Sequence, residues 1–281
     1  MELQRQVFVV GSINIDCTIN VRNLPNPGET IHGTDAIYLP GGKGGNQAVA
    51  ASRSDSAVKM IGAVGKDGYG DQALSSLEYF GVDTSGVLRK DVPTGVAFIL
   101  VEESGENTII STAGANALVS PEDIKTQLEG LALDSAPVVL AQLELPLESV
   151  EATASLTSAV KGRFILNLAP ARKISEDLLA VCDPIVVNET EAALLLGREI
   201  TSTEEALTAV TELAKVSKSA VITLGGDGAV LAESSTEGKS IHLPAEKVKP
   251  VDTTGAGDAF LGALTVALSH NKSLKAAVED G

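Results

Sequence analysis

Residues 7–16 read "VFVVGSINID". The run from Val7 to Val10 is apolar with no polar alternate, the pattern of a strand covered on both faces, and polar letters begin only at Ser12. Further runs of the same kind are "VKMIGAV" (58–64), "PVVLAQ" (137–142), "RFILN" (163–167), "PIVVN" (184–188) and "AVITLG" (220–225). Helical patterns lie between them near 44–53, 69–80, 147–160, 189–196 and 203–216. Buried strands alternating with helices predict an α/β fold with a doubly wound, mainly parallel sheet.

Two segments break the alternation. Residues 14–40 are rich in turn formers such as "NLPNPGET", and in 93–112 the runs "TGVAFILVE" and "NTIIST" flank Ser104-Gly105 like a hairpin. With no crossover helix in either, they predict a small second sheet acting as a lid. The expected division is a core of 1–13, 41–92 and 113–281 and a β lid of 14–40 and 93–112.

Composition narrows the chemistry. The 281 residues include 44% hydrophobic ones, enough to fill a core, and 37 acidic against 21 basic side chains give a net charge of −16. Such a chain repels phosphate polymers and anionic lipid, and with no Trp, three Tyr and five Phe it has little on which to stack bases. Neither a nucleic-acid partner nor a membrane is expected, and no run of eighteen apolar residues occurs. Cys17 and Cys182 lie outside any CxxC spacing and read as buried reduced thiols, which suits a cytoplasmic protein, or a nuclear one in a eukaryote. His32, His242 and His270 form no metal-ligand spacing.

Polar and glycine-rich stretches follow the predicted strands, where ligands of open α/β sheets bind. In "DTTGAGDAF" (252–260), Gly255, Ala256 and Gly257 suit an anion cradle at a helix N-terminus. Asp258 at the lip of that cradle is either a base for a hydroxyl attacking phosphorus or an N-cap. In "GGKGGNQA" (41–48), four glycines around Lys43 suggest backbone packed against a polyol, with Lys43 and Asn46 as donors. Lys43 is followed by Gly44, so this is no Walker loop. Asn14 and Asp16 are either hydroxyl ligands or an Asx turn. "NETE" (188–191) matches a capping box, although carboxylates there can also order the water around Mg²⁺. "TLGGDG" (223–228) either lines a nucleotide or turns between strands.

Taken in order, "GSINID", "PGET", "GGKGGNQAVAA", "TGVAFI", "GEN", "AGAN", "QLE", "NLAPAR", "NETEA", "TLGGDG" and "DTTGAGDAF" resemble the ribokinase-like branch of the PfkB carbohydrate-kinase family across nearly the whole chain. The resemblance implies ATP-dependent phosphorylation of D-ribose at its 5-hydroxyl, giving D-ribose 5-phosphate. It casts Asp258 as the catalytic base and Gly255, Ala256 and Gly257 as the anion hole. Asn14, Ile15, Asp16, Gly42, Lys43, Gly44, Gly45, Asn46, Glu144 and Asp258 would hold the sugar, covered by Ile110 from the lid. Asn188, Thr223, Leu224, Gly225, Gly226, Asp227, Gly228 and Gly257 would contact ATP. Glu191 would support Mg²⁺ indirectly, Asp252 and Thr254 would begin a K⁺ site, and the protein would be a homodimer joined through its lids.

The same resemblance implies a further alanine-rich helix and a glycine-containing loop after "AAVEDG" (276–281), closing the adenine pocket and completing the cation site. Without them the family's K⁺ ligands reduce to Asp252 and Thr254, and a form that binds sugar without turnover is the alternative function. Asp55 stands where the family more often has a small residue. A nicotinamide-dependent oxidoreductase would suit the alternation, but no glycine fingerprint follows the first strand.

Overall fold

The computed structural model describes residues 6–129, 136–236, 239–248 and 253–281. In chain order its first half comprises β1 (Val7–Val10), β2 (Asn14–Val21), β3 (Ile37–Gly41), α1 (Lys43–Arg53), β4 (Val58–Gly65), α2 (Gly68–Tyr79), β5 (Asp83–Lys90), β6 (Gly95–Glu102), β7 (Asn107–Thr112) and α3 (Pro121–Leu128). There follow β8 (Val138–Ala141), α4 (Leu147–Ala159), β9 (Arg163–Asn167), α5 (Glu176–Val181), β10 (Cys182–Asn188), α6 (Glu189–Leu196), α7 (Thr203–Val216), β11 (Ser219–Thr223), β12 (Ala229–Glu233), β13 (Ser240–Leu243), α8 (Ala256–Ser269) and α9 (Leu274–Asp280).

The large sheet has the order β13-β12-β11-β10-β9-β8-β1-β4-β5. It is parallel from β11 to β5, and β12 and β13 extend it antiparallel. Alternate residues of a strand face opposite sides. Val7 and Val9 accordingly join the core beneath α1, α2, α8 and α9, while Phe8 and Val10 join the core beneath α3 to α7. This two-sided burial is why β1 is apolar throughout. The mainly parallel α/β fold expected from the sequence is the one observed. Among strands the alternation did not mark, β5 is a half-exposed edge of mixed polarity, "DTSGVLRK", which carries no continuous apolar signal.

A separate sheet, ordered β3-β2-β6-β7, is built from the two segments that interrupt the alternation. β6 and β7 pair antiparallel, as the hairpin signal suggests, and β2 lies parallel to β6.

One helix contact places the site. Gly262 of α8 lies against α1, where an added methyl would stand 2.5 Å from the Ala50 methyl and 2.6 Å from the Ala51 nitrogen. Only a glycine lets the helices approach this closely, and a larger side chain would cost about 1–3 kcal/mol in overpacking. Asn46 and Gln47 lie one helical turn before Ala50 and Ala51, and Asp258 lies one turn before Gly262. The close crossing therefore brings these three polar side chains together. Both cysteines are free and buried, and burial pushes the Cys182 thiol well above its ordinary range. No helix among the described residues is long and apolar enough to cross a membrane.

Candidate active site

Because the central strands run parallel, the stretches after β1, β8, β9, β10 and β11 emerge on one edge of the sheet. Two cavities open there. The larger, about 1160 Å³, is lined by Ile13, Asp16, Gly41, Asn46 and the lid residues Leu39, Ile99 and Val101, among others. The smaller, about 190 Å³, is lined by residues including Lys43, Asn167, Asn188, Glu191 and Thr223 together with Gly255, Ala256 and Gly257. Asp258, Gly255 and Thr253 line both.

Gly255 caps α8 with φ at +73°, a left-handed conformation that suits glycine. A methyl at Gly255 or Gly257 would meet nothing within 4 Å, so this turn is open to a ligand. The first amides of a helix lack intrahelical acceptors and carry the positive end of its dipole. Asp258 is the third residue of α8, and the helix has no side-chain cap, so the N-cap alternative is overturned. Its Oδ2 accepts from Asn46 Nδ2 at 3.0 Å and its Oδ1 from Gln47 Nε2 at 2.8 Å.

The glycines around Lys43 have a packing role besides the one expected. A Cβ at Gly44 would lie 2.6–2.7 Å from the backbone of Gly11 and Ser12, and one at Gly41 would lie 2.2 Å from Asp16 Oδ2. Gly42 has φ at +85° and packs on the backbone around Asn14. Gly45 is buried inside α1 and donates its N–H to Ser12 O at 2.9 Å. These glycines seat α1 against the end of β1, and Gly41 and Gly45 also line the larger cavity.

Other expected residues separate into those that reach a cavity and those that do not. Asn14 is buried, and its Oδ1 accepts from Asn116 Nδ2 at 2.8 Å. Ile15 turns to the opposite face and is wholly within the core. Glu144 accepts from the Lys43 N–H at 3.1 Å and from the Ser12 hydroxyl, which fixes its carboxylate beside the first turn of α1. The Lys43 side chain lines the smaller cavity with Glu191, not the larger one with Asp16 and Asn46.

The lid register corrects one residue. Ile110 pairs with Phe98, whereas Ile99, Val101 and Asp16 lie on the alternate face that lines the larger cavity. Ile110 therefore points away from that cavity, and Ile109, paired with Ile99, shares the cavity-facing side.

On the other side, Asn188 caps α6 and forms the full capping box with Glu191, with both bonds at 2.8 Å. That local role coexists with a place on the smaller cavity wall. Leu224 turns into the core, and Gly228 is held at φ +93° against Leu243 O. Gly225, Gly226 and Asp227 form an exposed turn after β11 outside the cavity lining. Thr254 lines the larger cavity, while Asp252 lies outside the described residues.

Electrostatics distinguish the two sides. Burial, then the nearby Glu144 and Asp258, holds the Asp16 carboxyl above its ordinary pKa. Burial also raises Glu191, against the opposing pull of the Asn188 N–H and Lys43. Among the described residues no group of three or more His, Cys, Asp or Glu is arranged to hold a metal ion. The single carboxylate of Glu191 on a wall shared with the helix cradle fits a cation held mostly by phosphate oxygens and water, as Mg²⁺ commonly is.

Asn116, Gln47, Gln142 and Asn167 were not expected at the site. Asn116 bonds both the N–H and C=O of Ile13. Gln142 Nε2 donates to Gln47 Oε1 at 2.6 Å, and its own buried Oε1 has no partner among the described residues. The available signal was a polar letter at the end of a buried strand or inside a helix of small residues.

Residues 4–281 match the pattern described as pfkB family carbohydrate kinase. The ribokinase of Schizosaccharomyces pombe is 38% identical over 284 residues, spanning 97% of this chain and 88% of that protein. Among solved structures, the ribokinase of Thermotoga maritima superposes with a TM-score of 0.84 at 34% identity, covering 98% of this chain and 89% of that one. The Arabidopsis thaliana ribokinase complexed with ribose and ATP gives a TM-score of 0.87 at 29% identity, with the same coverages of 98% and 89%. An open helix N-terminus, a carboxylate shared by two cavities and likeness along the whole length lead to one conclusion: the chain belongs to the pfkB family of carbohydrate kinases.

Proposed function

We propose that the protein transfers the γ-phosphoryl group of ATP to the 5-hydroxyl of D-ribose, giving D-ribose 5-phosphate and ADP. The observation carrying this reading is the position of Asp258, on the shared wall of a cavity lined by sugar-type ligands and a cavity formed at the helix cradle. Ribose binds in the larger cavity against Asp16 and Asn46, with Asn14, Gly42 and Glu144 shaping its floor and Ile99 and Ile109 of the lid above. The triphosphate enters the smaller cavity, its γ-phosphate toward Gly255, Ala256 and Gly257, and the exposed turn Gly225–Asp227 borders the nucleoside.

As the sugar oxygen bonds to phosphorus, its O–H bond breaks and the proton passes to Asp258. The P–O bond to the leaving ADP breaks with its electron pair on ADP. A loose phosphoryl-transfer transition state depends on positioning and charge stabilisation more than on early deprotonation, so a carboxylate suffices as base. The dipole of α8 and Lys43 offset the charge of the transferring group. Glu191 would hold a phosphate-bound Mg²⁺ through water, and the ion, when bound, would supply further neutralisation of phosphate charge. A monovalent cation, K⁺ by family resemblance, would sit near Thr254. Lid closure would exclude water and limit ATP hydrolysis.

Incubation with D-ribose, Mg-ATP and K⁺ tests the reading. Ribose-dependent ADP release and a ³¹P signal of the 5-phosphate are expected. ADP release only with a different sugar, or phosphate on another ribose carbon, would overturn it.

A further inference from the structure

The catalytic carboxylate is gripped from two directions by neighbouring residues of one helix. Asn46 reaches Oδ2 from the wall of the larger cavity, where it is half-buried. Gln47 reaches Oδ1 from the interior, where it is 0% exposed, and it lines neither cavity.

Hydrogen-bond polarity then propagates inward. An ionised carboxylate only accepts, so Gln47 must turn its NH₂ toward Asp258. That NH₂ also approaches Asn167 Oδ1 at 3.2 Å. The Gln47 carbonyl faces away and accepts from Gln142 Nε2. Rotating Gln47 would set its carbonyl against a carboxylate and its NH₂ against the NH₂ of Gln142. Gln142 is itself fully buried, with its Oε1 directed at Gly11, where an added methyl would lie 1.9 Å away. The chain Gln142 to Gln47 to Asp258 therefore has one direction, and burial of both glutamines denies water as a substitute donor.

We propose that Gln47 is a positioning residue for phosphoryl transfer, holding Oδ1 of Asp258 throughout the cycle so that Oδ2 is the atom that takes the sugar proton. Asn46 is the exchangeable partner of Oδ2, giving way to the incoming hydroxyl, whereas Gln47 has no route by which to exchange. The inference rests on the kinase reading above for its kinetic consequence, but its structural content concerns the Asp258 carboxyl alone.

The test pairs two measurements on Gln47→Met, which keeps side-chain length and removes the donor. First, ¹³C NMR titration of the Asp258 carboxyl, assigned by its absence in Asp258→Asn, should show a higher midpoint in Gln47→Met, since a donor to the charged form has been lost. Asp16 and Glu144 on the sugar side, and Lys43, Glu191 and Arg53 elsewhere on the cavity walls, are the same in both proteins and cancel in the comparison. Second, kcat should fall by roughly 10- to 100-fold while KM for ribose changes by less than about 3-fold. An unmoved Asp258 midpoint would overturn the proposal even if the variant melts earlier, because core packing alone predicts only the melting change. Wild-type protein without ribose-dependent turnover would overturn the kinase reading instead, and the titration would still decide the role of Gln47. Should Gln47→Met not fold, Gln47→Glu keeps the shape and sets a carboxyl beside Asp258, so an unshifted midpoint there also refutes the idea.

Discussion

Asn116 Nδ2 donates to Asn14 Oδ1 over 2.8 Å, joining the turn after the lid's last strand to the first residue of its β2 strand. The same side chain accepts the Ile13 N–H at 3.0 Å and donates to the Ile13 carbonyl at 3.1 Å, and Asn116 is only 1% exposed. With the Asn14 carbonyl engaged, its NH₂ would be the group offered to the sugar in the proposed function. Asn116→Ala should lower stability by about 3 kcal/mol, since buried backbone groups of Ile13 lose their partners. Denaturant melts measure that loss, and KM for the sugar should rise as Asn14 loses its fixed orientation.

Asp258→Asn should reduce turnover by at least about 100-fold, the usual scale of a lost general base. The substitution keeps an acceptor for Gln47 or Asn46 but removes basicity, so calorimetry should find ribose affinity nearly unchanged. An unaltered kcat would remove Asp258 from its assigned role.

Asp16 provides a pH test. Its carboxyl is held above the ordinary value by burial, Glu144 and Asp258, so the folded chain holds more proton than the unfolded chain between the two pKa values. Stability must then fall as pH rises through that window and stay reduced above it. Asp16→Asn should melt higher than wild type at neutral pH, with the difference closing on acidification, while ribose binding weakens. A Tm difference that does not vary with pH would contradict this account.

Asp55 follows the end of α1 with φ at +65°, in the left-handed region. This explains why a small residue suits the position: glycine enters that region without the Cβ clash. Asp55→Gly should stabilise the protein by about 0.5–1 kcal/mol, seen as a Tm rise of about 1–2 °C without change in kcat.

The lid carries exposed apolar side chains on both faces: Ile37, Leu39 and Ile109 on the cavity-facing side, Tyr38, Phe98 and Ile110 on the other. A homodimer through the lids would cover them. Light scattering should give twice the chain mass of 28.8 kDa, and a value of one chain mass would refute the dimer.

The core was legible from local pattern. Continuous apolar runs report a strand buried on both sides, whereas the close packing of the glycines at 44 and 262 emerged only in the structure. The position of Asp258 at the start of an apolar helix was legible too, whereas the choice between base and N-cap needed the structure, which puts Gly255 at the cap. Lys43 and Ile110 were harder, since neighbouring letters can serve opposite sides. In α1, Lys43 faces the smaller cavity and Asn46 the larger. In β7, one step along the strand exchanges Ile109 for Ile110.

Taken alone, the order of residues determined the layered α/β architecture, the lid segments and the glycine-flanked acid, because helix and strand periods and backbone freedom act over a few positions. Only the tertiary structure decided which polar groups meet. Gln47 and Asp258 are 211 residues apart, and Asn116 and Asn14 are 102 apart. Those pairs arise from the close crossing of α1 and α8 and from the packing of the lid's ends on the core, where burial makes each donor depend on a partner that no local pattern can name.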